Sequence, residues 1–148
     1  VLPRAQLAEL VEACVADGLT PFVEITAEAD CAGLRLAGRC VVAVNNKDIR
    51  DRERGPARIG RSLDLLAAVR DRGPACAVSA SGIDSPATAA RLLDAGYDAV
   101  LVGTALLRAA DPGDWARRVA GAVRSRRAPA TPPAGGAAPA RRRAPAGP

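Results

Sequence analysis

Short apolar runs alternate along the chain with longer stretches in which apolar residues recur every three or four positions. Pro21 to Ile25, Cys40 to Val44, Ala75 to Ser79 and Asp98 to Val102 are the short runs, and they carry little polar alternation. Such runs suit strands of a parallel sheet covered on both faces. Between them, Leu63, Leu65, Leu66 and Val69 predict a helix ending at Gly73, and Leu92 and Leu93 predict one that starts at Ser85-Pro86 and stops at Gly96. A serine cap, a first-turn proline and a glycine just past the end are the expected punctuation. Leu7, Leu10, Val11, Cys14 and Val15 mark an opening helix over Leu2 to Ala16, and Trp115, Val119 and Val123 mark a closing one after Asp111-Pro112. Thr26 reads as an N-cap, with Glu28 in the favourable first turn of a helix that runs to about Ala37. A charged, Arg-rich connection spans Ile49 to Gly60, and a short turn covers Ala105 to Arg108.

The order is therefore a helix followed by four strand-helix repeats. Strict alternation implies an α/β fold with a parallel sheet, either doubly wound or part of a barrel. The glycine fingerprint of dinucleotide-binding folds follows none of the strands. Polar residues collect instead where strands end: Glu24 after the first, Asn45 and Lys47 after the second, Ser81 and Gly82 after the third, Gly103 and Thr104 after the fourth. Strand-end polar residues on one rim are where (β/α)8 TIM barrels keep their chemistry, and four units are half of such a barrel. The chain begins with Val inside a helical pattern, so it reads as a fragment of a longer barrel, or as a half-barrel whose exposed edges need a partner.

The turns at Gly82 and Gly103 follow the last two strands and lie side by side. Glycine lets backbone approach a ligand closely, and unpaired N–H groups at the start of a following helix favour an anion. The pair predicts a phosphate cradle, although for either glycine alone a tight βα turn is the better reading.

Composition relocates the charge more than it changes the fold. The 148 residues carry a net charge of +5, but residues 124–148 hold six Arg and no acid, which leaves 15 basic against 16 acidic side chains before them. The folded part, residues 1–123, is thus nearly neutral, which weighs against nucleic acid as a partner. From Ala128 onward the chain is rich in Pro, Ala, Gly and Arg with no large apolar residue, so residues 124–148 are expected to form a disordered tail. Cys14, Cys31, Cys40 and Cys76 show no paired spacing and the chain has no His, so neither a metal site nor a disulfide framework is expected. Free thiols point to a reducing cytoplasm, and no apolar run approaches a membrane span.

Three blocks carry a family resemblance: Val41-Val-Ala-Val-Asn-Asn-Lys-Asp48, Val78-Ser-Ala-Ser-Gly-Ile83, and Leu92 to Arg108 with its Leu-Val-Gly-Thr turn. Together with Phe22-Val-Glu-Ile25 they resemble, in order and spacing, the closing half of indole-3-glycerol-phosphate synthase over residues 1–123. The resemblance implies the C-terminal half of a (β/α)8 TIM barrel. It also implies a cofactor-free carboxy-lyase of tryptophan biosynthesis, which converts 1-(2-carboxyphenylamino)-1-deoxyribulose 5-phosphate to indole-3-glycerol phosphate. It assigns proton handling to Glu24, contact with the substrate's polar groups to Asn45, the substrate carboxylate to Lys47, and phosphate to Ser81, Gly82, Gly103 and Thr104.

Lys47 stands where the family usually has arginine, and Thr104 where serine is common. Ala80 stands where the family normally carries glutamate, so one carboxylate that orients other catalytic groups is missing. The family's two catalytic and phosphate-binding lysines belong to the first four strands, which this chain lacks. The partner implied is the missing N-terminal half-barrel or a second copy. Two alternatives remain: a noncatalytic phosphate-binding half-barrel, and another phosphate-holding barrel lyase or isomerase.

Overall fold

The structure, a computed structural model, describes residues 2–34, 36–48 and 55–127. Four parallel strands, β1 (Phe22–Ile25), β2 (Val41–Asn45), β3 (Cys76–Ala80) and β4 (Ala99–Leu101), lie in the order in which they occur in the chain. Helices α1 (Arg4–Ala16), α2 (Ile59–Asp71), α3 (Pro86–Ala95), α4 (Thr104–Arg108) and α5 (Pro112–Arg127) accompany them. A doubly wound sheet reverses its strand order partway across, whereas a barrel never does. The sequential order therefore settles the alternative left by the sequence: the fold is half of a (β/α)8 barrel.

One face of the sheet receives the helices. Val23, Ile25, Val42, Val44 and Ala77 meet Val11, Leu34, Leu36, Val69, Leu92 and Val119 in a single core. Leu92 is fully buried, and burying such a side chain contributes about 1.5–3 kcal/mol. The cap signals around α3 operate as read: Ser85 Oγ accepts from the Thr88 N–H at 3.2 Å, Pro86 is the first helical residue and Gly96 ends the helix at φ 123°. Asp111 caps α5 by accepting from the Asp114 N–H at 2.9 Å. That helix continues past Val123 to Arg127, and residues 128–148, most of the expected tail, lie outside the described residues. So do residues 49–54 of the Arg-rich connection.

The helix expected from Thr26 to Ala37 is not formed. Only a 3-10 turn, Glu28–Cys31, follows β1, and Thr26 does not cap it. Asp30 does the capping: its Oδ2 accepts from the Thr26 and Ala27 N–H groups at 2.7 and 2.9 Å. Gly33, at φ 79°, turns the chain away, and Leu34 and Leu36 then enter the core two residues apart. That spacing is the period of extended backbone, not of a helix.

The opposite face, the inside of the barrel, carries Ala43, Val78 and Ala80 at its centre, with Val41, Cys76 and Ala99 around them. Its two edges are open: Phe22 on β1 is 51% exposed and Leu101 on β4 is 53% exposed. The register puts Glu24 beside Ala43, and Asn45 beside Ala80, which pairs in turn with Leu101. Across the β3–β4 pair, Asp98 is gripped by Arg70 of α2 at 2.8 Å and also accepts from the Ala77 N–H at 2.7 Å. The guanidinium is the main reason that the Asp98 carboxyl lies below its usual range.

Candidate active site

The carboxyl ends of the four strands form one rim. On β1, alternation with the buried Val23 and Ile25 turns Glu24 to the inside face, where it is exposed. Asn45 ends β2 on the same face, fully buried, and its Nδ2 donates to Glu24 Oε2 at a long 3.4 Å. Its Oδ1 accepts from the Lys47 N–H at 2.9 Å, an Asx turn that fixes which end of the amide faces the carboxylate. Arg61 of α2 closes the turn from outside, donating to the Asn45 and Lys47 carbonyls at 2.8 and 2.9 Å.

Next along the rim is a pocket of about 870 Å³ whose lining includes Lys47, Ser81, Gly82, Gly103 and Thr104. All five substrate-binding residues expected from the sequence thus meet at one cavity. Arg108 at the end of α4 and Trp115 of α5 also line it. Neither Lys47 nor Arg108 forms an ion pair among the described residues, so two cations face the cavity against one lining carboxylate, Asp84.

The two glycine corners are unlike. Gly82 has φ 70°, and a Cβ there would overlap the Ala57 side chain, so the fold itself demands glycine. Gly103 has φ −113° and a Cβ there would meet nothing, so neither backbone nor packing requires it. What its missing side chain leaves is clear space over the pocket. Nor do both corners open helices. Gly103 caps α4, which has only 5 residues, but α3 begins at Pro86 with Ser85 already serving its first turn. The amides at the first corner therefore belong to the Ser81-Gly82 loop, not to a helix end.

Ser81 has φ 64°, the left-handed region, where no other non-glycine residue is found among those described. A side chain there costs about 1–2 kcal/mol. Beneath it lies a buried polar cluster that sequence reasoning did not single out. Asn46, Ser62 and Ser79 are all fully buried; Ser62 Oγ and Ser79 Oγ are 2.7 Å apart, and Ser62 Oγ donates to Asn46 Oδ1 at 2.9 Å. Tyr97 adds its hydroxyl, which donates to the Ser62 carbonyl at 2.6 Å. Burial pushes the Tyr97 hydroxyl up, which keeps it a donor at neutral pH. One signal was present: Ser62 occupies the stripe that Leu65, Leu66 and Val69 continue, and a polar residue on an apolar stripe needs a buried partner.

Ala80 fills the inside face next to Asn45 and is 1% exposed, so no carboxylate occupies that place. Among the described residues there is no cluster of three His, Cys, Asp or Glu that could hold a metal ion, and no helix long and apolar enough to cross a membrane.

Residues 1–119 match the family model described as indole-3-glycerol phosphate synthase. The indole-3-glycerol phosphate synthase of Carboxydothermus hydrogenoformans is 32% identical over 113 residues, covering 76% of this chain and 41% of that protein. Indole-3-glycerol phosphate synthase 2 of Streptomyces coelicolor is 35% identical over 124 residues, covering 81% of this chain and 45% of that protein. The chain therefore spans less than half the length of these two relatives. Among solved structures, 3-hexulose-6-phosphate synthase from Salmonella typhimurium superposes with a TM-score of 0.58 at 22% identity, over 84% of this chain and 59% of that one, a likeness of fold. On the family match and these identities, with the barrel rim as their structural setting, the chain belongs to the indole-3-glycerol phosphate synthase family.

Proposed function

We propose that this chain supplies the phosphate-holding half of an indole-3-glycerol phosphate synthase, acting on 1-(2-carboxyphenylamino)-1-deoxyribulose 5-phosphate in the cytoplasm without a cofactor. The observation that carries the reading is the single pocket lined by Lys47, Ser81, Gly82, Gly103 and Thr104, one step along the rim from Glu24 and Asn45. The phosphate lies against the Ser81, Gly82, Gly103 and Thr104 backbone, where amides donate to its oxygens. Lys47 holds the substrate carboxylate as a point charge, without the two-pronged grip of arginine. Ring closure releases carbon dioxide and expels the ketone oxygen as water, so two protons must reach that oxygen; Glu24 handles protons there and Asn45 orients the substrate's hydroxyl and carbonyl groups. The open inside face, with Phe22 and Leu101 half exposed, is covered in the working enzyme by the other half-barrel or a second copy.

Joining this chain in frame to the part of the Streptomyces coelicolor relative that the match leaves uncovered gives a complete barrel. That hybrid is expected to produce indole-3-glycerol phosphate, read by the rise of indole fluorescence. A hybrid folded by circular dichroism but silent at every substrate concentration overturns the catalytic reading. Ala80 favours a second one, a noncatalytic half-barrel that keeps phosphate affinity, because the carboxylate implied beside Asn45 is absent. A silent hybrid that still binds phosphate supports it.

A further inference from the structure

Asn46 makes more hydrogen bonds than any other side chain near the pocket, yet it does not line it. Its Nδ2 donates to Ser79 Oγ at 3.1 Å, to the Ala80 carbonyl at 3.0 Å and to the Ser81 carbonyl at 3.2 Å. Its backbone N–H also donates to the Ala80 carbonyl, at 2.9 Å. In a planar trans peptide the carbonyl and the following N–H point in opposite directions. Drawing the Ala80 and Ser81 carbonyls inward to Asn46 therefore turns the Ser81 and Gly82 amide hydrogens outward, on the side where those two residues line the pocket. The left-handed conformation of Ser81 needs such an anchor, since local strain persists only where surrounding contacts over-determine it.

We propose that Asn46 is a positioning residue for the anion: it aims the Ser81 and Gly82 amides at a phosphate it never touches. The proposal rests on the phosphate reading of the pocket. Asn46 Oδ1 accepts from the Ser62 backbone N–H at 3.2 Å, a bond that any residue other than proline keeps at position 62 and that sets the roll of the amide, presenting Nδ2 to the two carbonyls; the Ser62 hydroxyl only adds a second bond at 2.9 Å. Ser62 belongs to the same buried cluster, but no hydrogen bond joins its side chain to the corner's backbone, which makes it the control for a purely structural role.

Inorganic phosphate is titrated into the 148-residue chain, and the amide resonances of Ser81 and Gly82 are followed by NMR alongside urea unfolding. Ser62→Ala is expected to lower stability and leave the phosphate dissociation constant unchanged. Asn46→Ala is expected to raise that constant at least tenfold, with sucrose added to keep the variant folded. Asn46→Leu, which keeps the volume and has neither donor nor charge, repeats the test if Asn46→Ala fails to fold. Equal affinity in wild type and the Asn46 variants overturns the positioning role, as does equal weakening by Ser62→Ala. Wild type whose Ser81 and Gly82 resonances ignore phosphate overturns the phosphate reading and this inference together.

Discussion

Glu24→Gln in the hybrid barrel is expected to lower kcat by about 10²–10⁴-fold, the range that a positioned proton-transfer group contributes. The change is nearly isosteric, and Glu24 is exposed on the inside face, so the sheet loses no buried contact. Asn45 Nδ2 can still donate, to the new amide oxygen, and the Asx turn to Lys47 is untouched. Substrate binding through the phosphate pocket should therefore survive, and the loss should appear in kcat with KM little changed. Steady-state kinetics by indole fluorescence measure both. Full kcat in the variant would remove Glu24 from the proton pathway, and a loss confined to KM would make it a binding group.

Gly82→Ala and Gly103→Ala should differ by far more than their shared chemistry implies. A methyl at Gly82 is forced into the left-handed region and into Ala57, and the two penalties together come to about 2–5 kcal/mol. That is a large fraction of a domain's net stability of about 5–15 kcal/mol. The residues flanking Ala57 tie that segment to the rim, since the Arg58 N–H donates to the Asn46 carbonyl at 2.7 Å, so the damage should spread to the Asn45 turn. A methyl at Gly103 meets nothing and sits at φ −113°, so stability should stay within about 0.5 kcal/mol of wild type. Its effect falls on the pocket instead: about tenfold weaker phosphate binding, the equivalent of one lost charged hydrogen bond. Urea unfolding and phosphate titration of both variants separate the two corners. Equal stability loss at both positions would contradict this account of why each is glycine.

The sequence made the strands legible because a buried parallel strand leaves a compact apolar run, and it made α3 legible because Ser85, Pro86 and Gly96 are local signals that need no tertiary partner. The failure between β1 and β2 has an equally local cause. Over a stretch as short as Ala32 to Ala37, two leucines fit either period, and the positive φ at Gly33 breaks a helix there. At the site, strand ends could be read off and so Glu24, Asn45, Lys47, Ser81, Gly82, Gly103 and Thr104 could be named. Two features were beyond that reading. The conformation of Ser81 depends on Asn46, which lies 35 positions away in the chain. The need for glycine at residue 82 depends on a segment arriving from the β2–α2 connection. Arg108 and Trp115 joined the pocket through the packing of α4 and α5, which carries no strand-end signal.

On the proposed function, the corners after β3 and β4 together hold a phosphate on the rim that also carries Glu24 and Asn45. Residue-resolved NMR of the 148-residue chain during titration with inorganic phosphate tests it most directly. Saturable shifts of the Ser81, Gly82, Gly103 and Thr104 amides with one shared dissociation constant are expected. Shifts confined to the arginines of residues 124–148, or separate constants for the two corners, would contradict it.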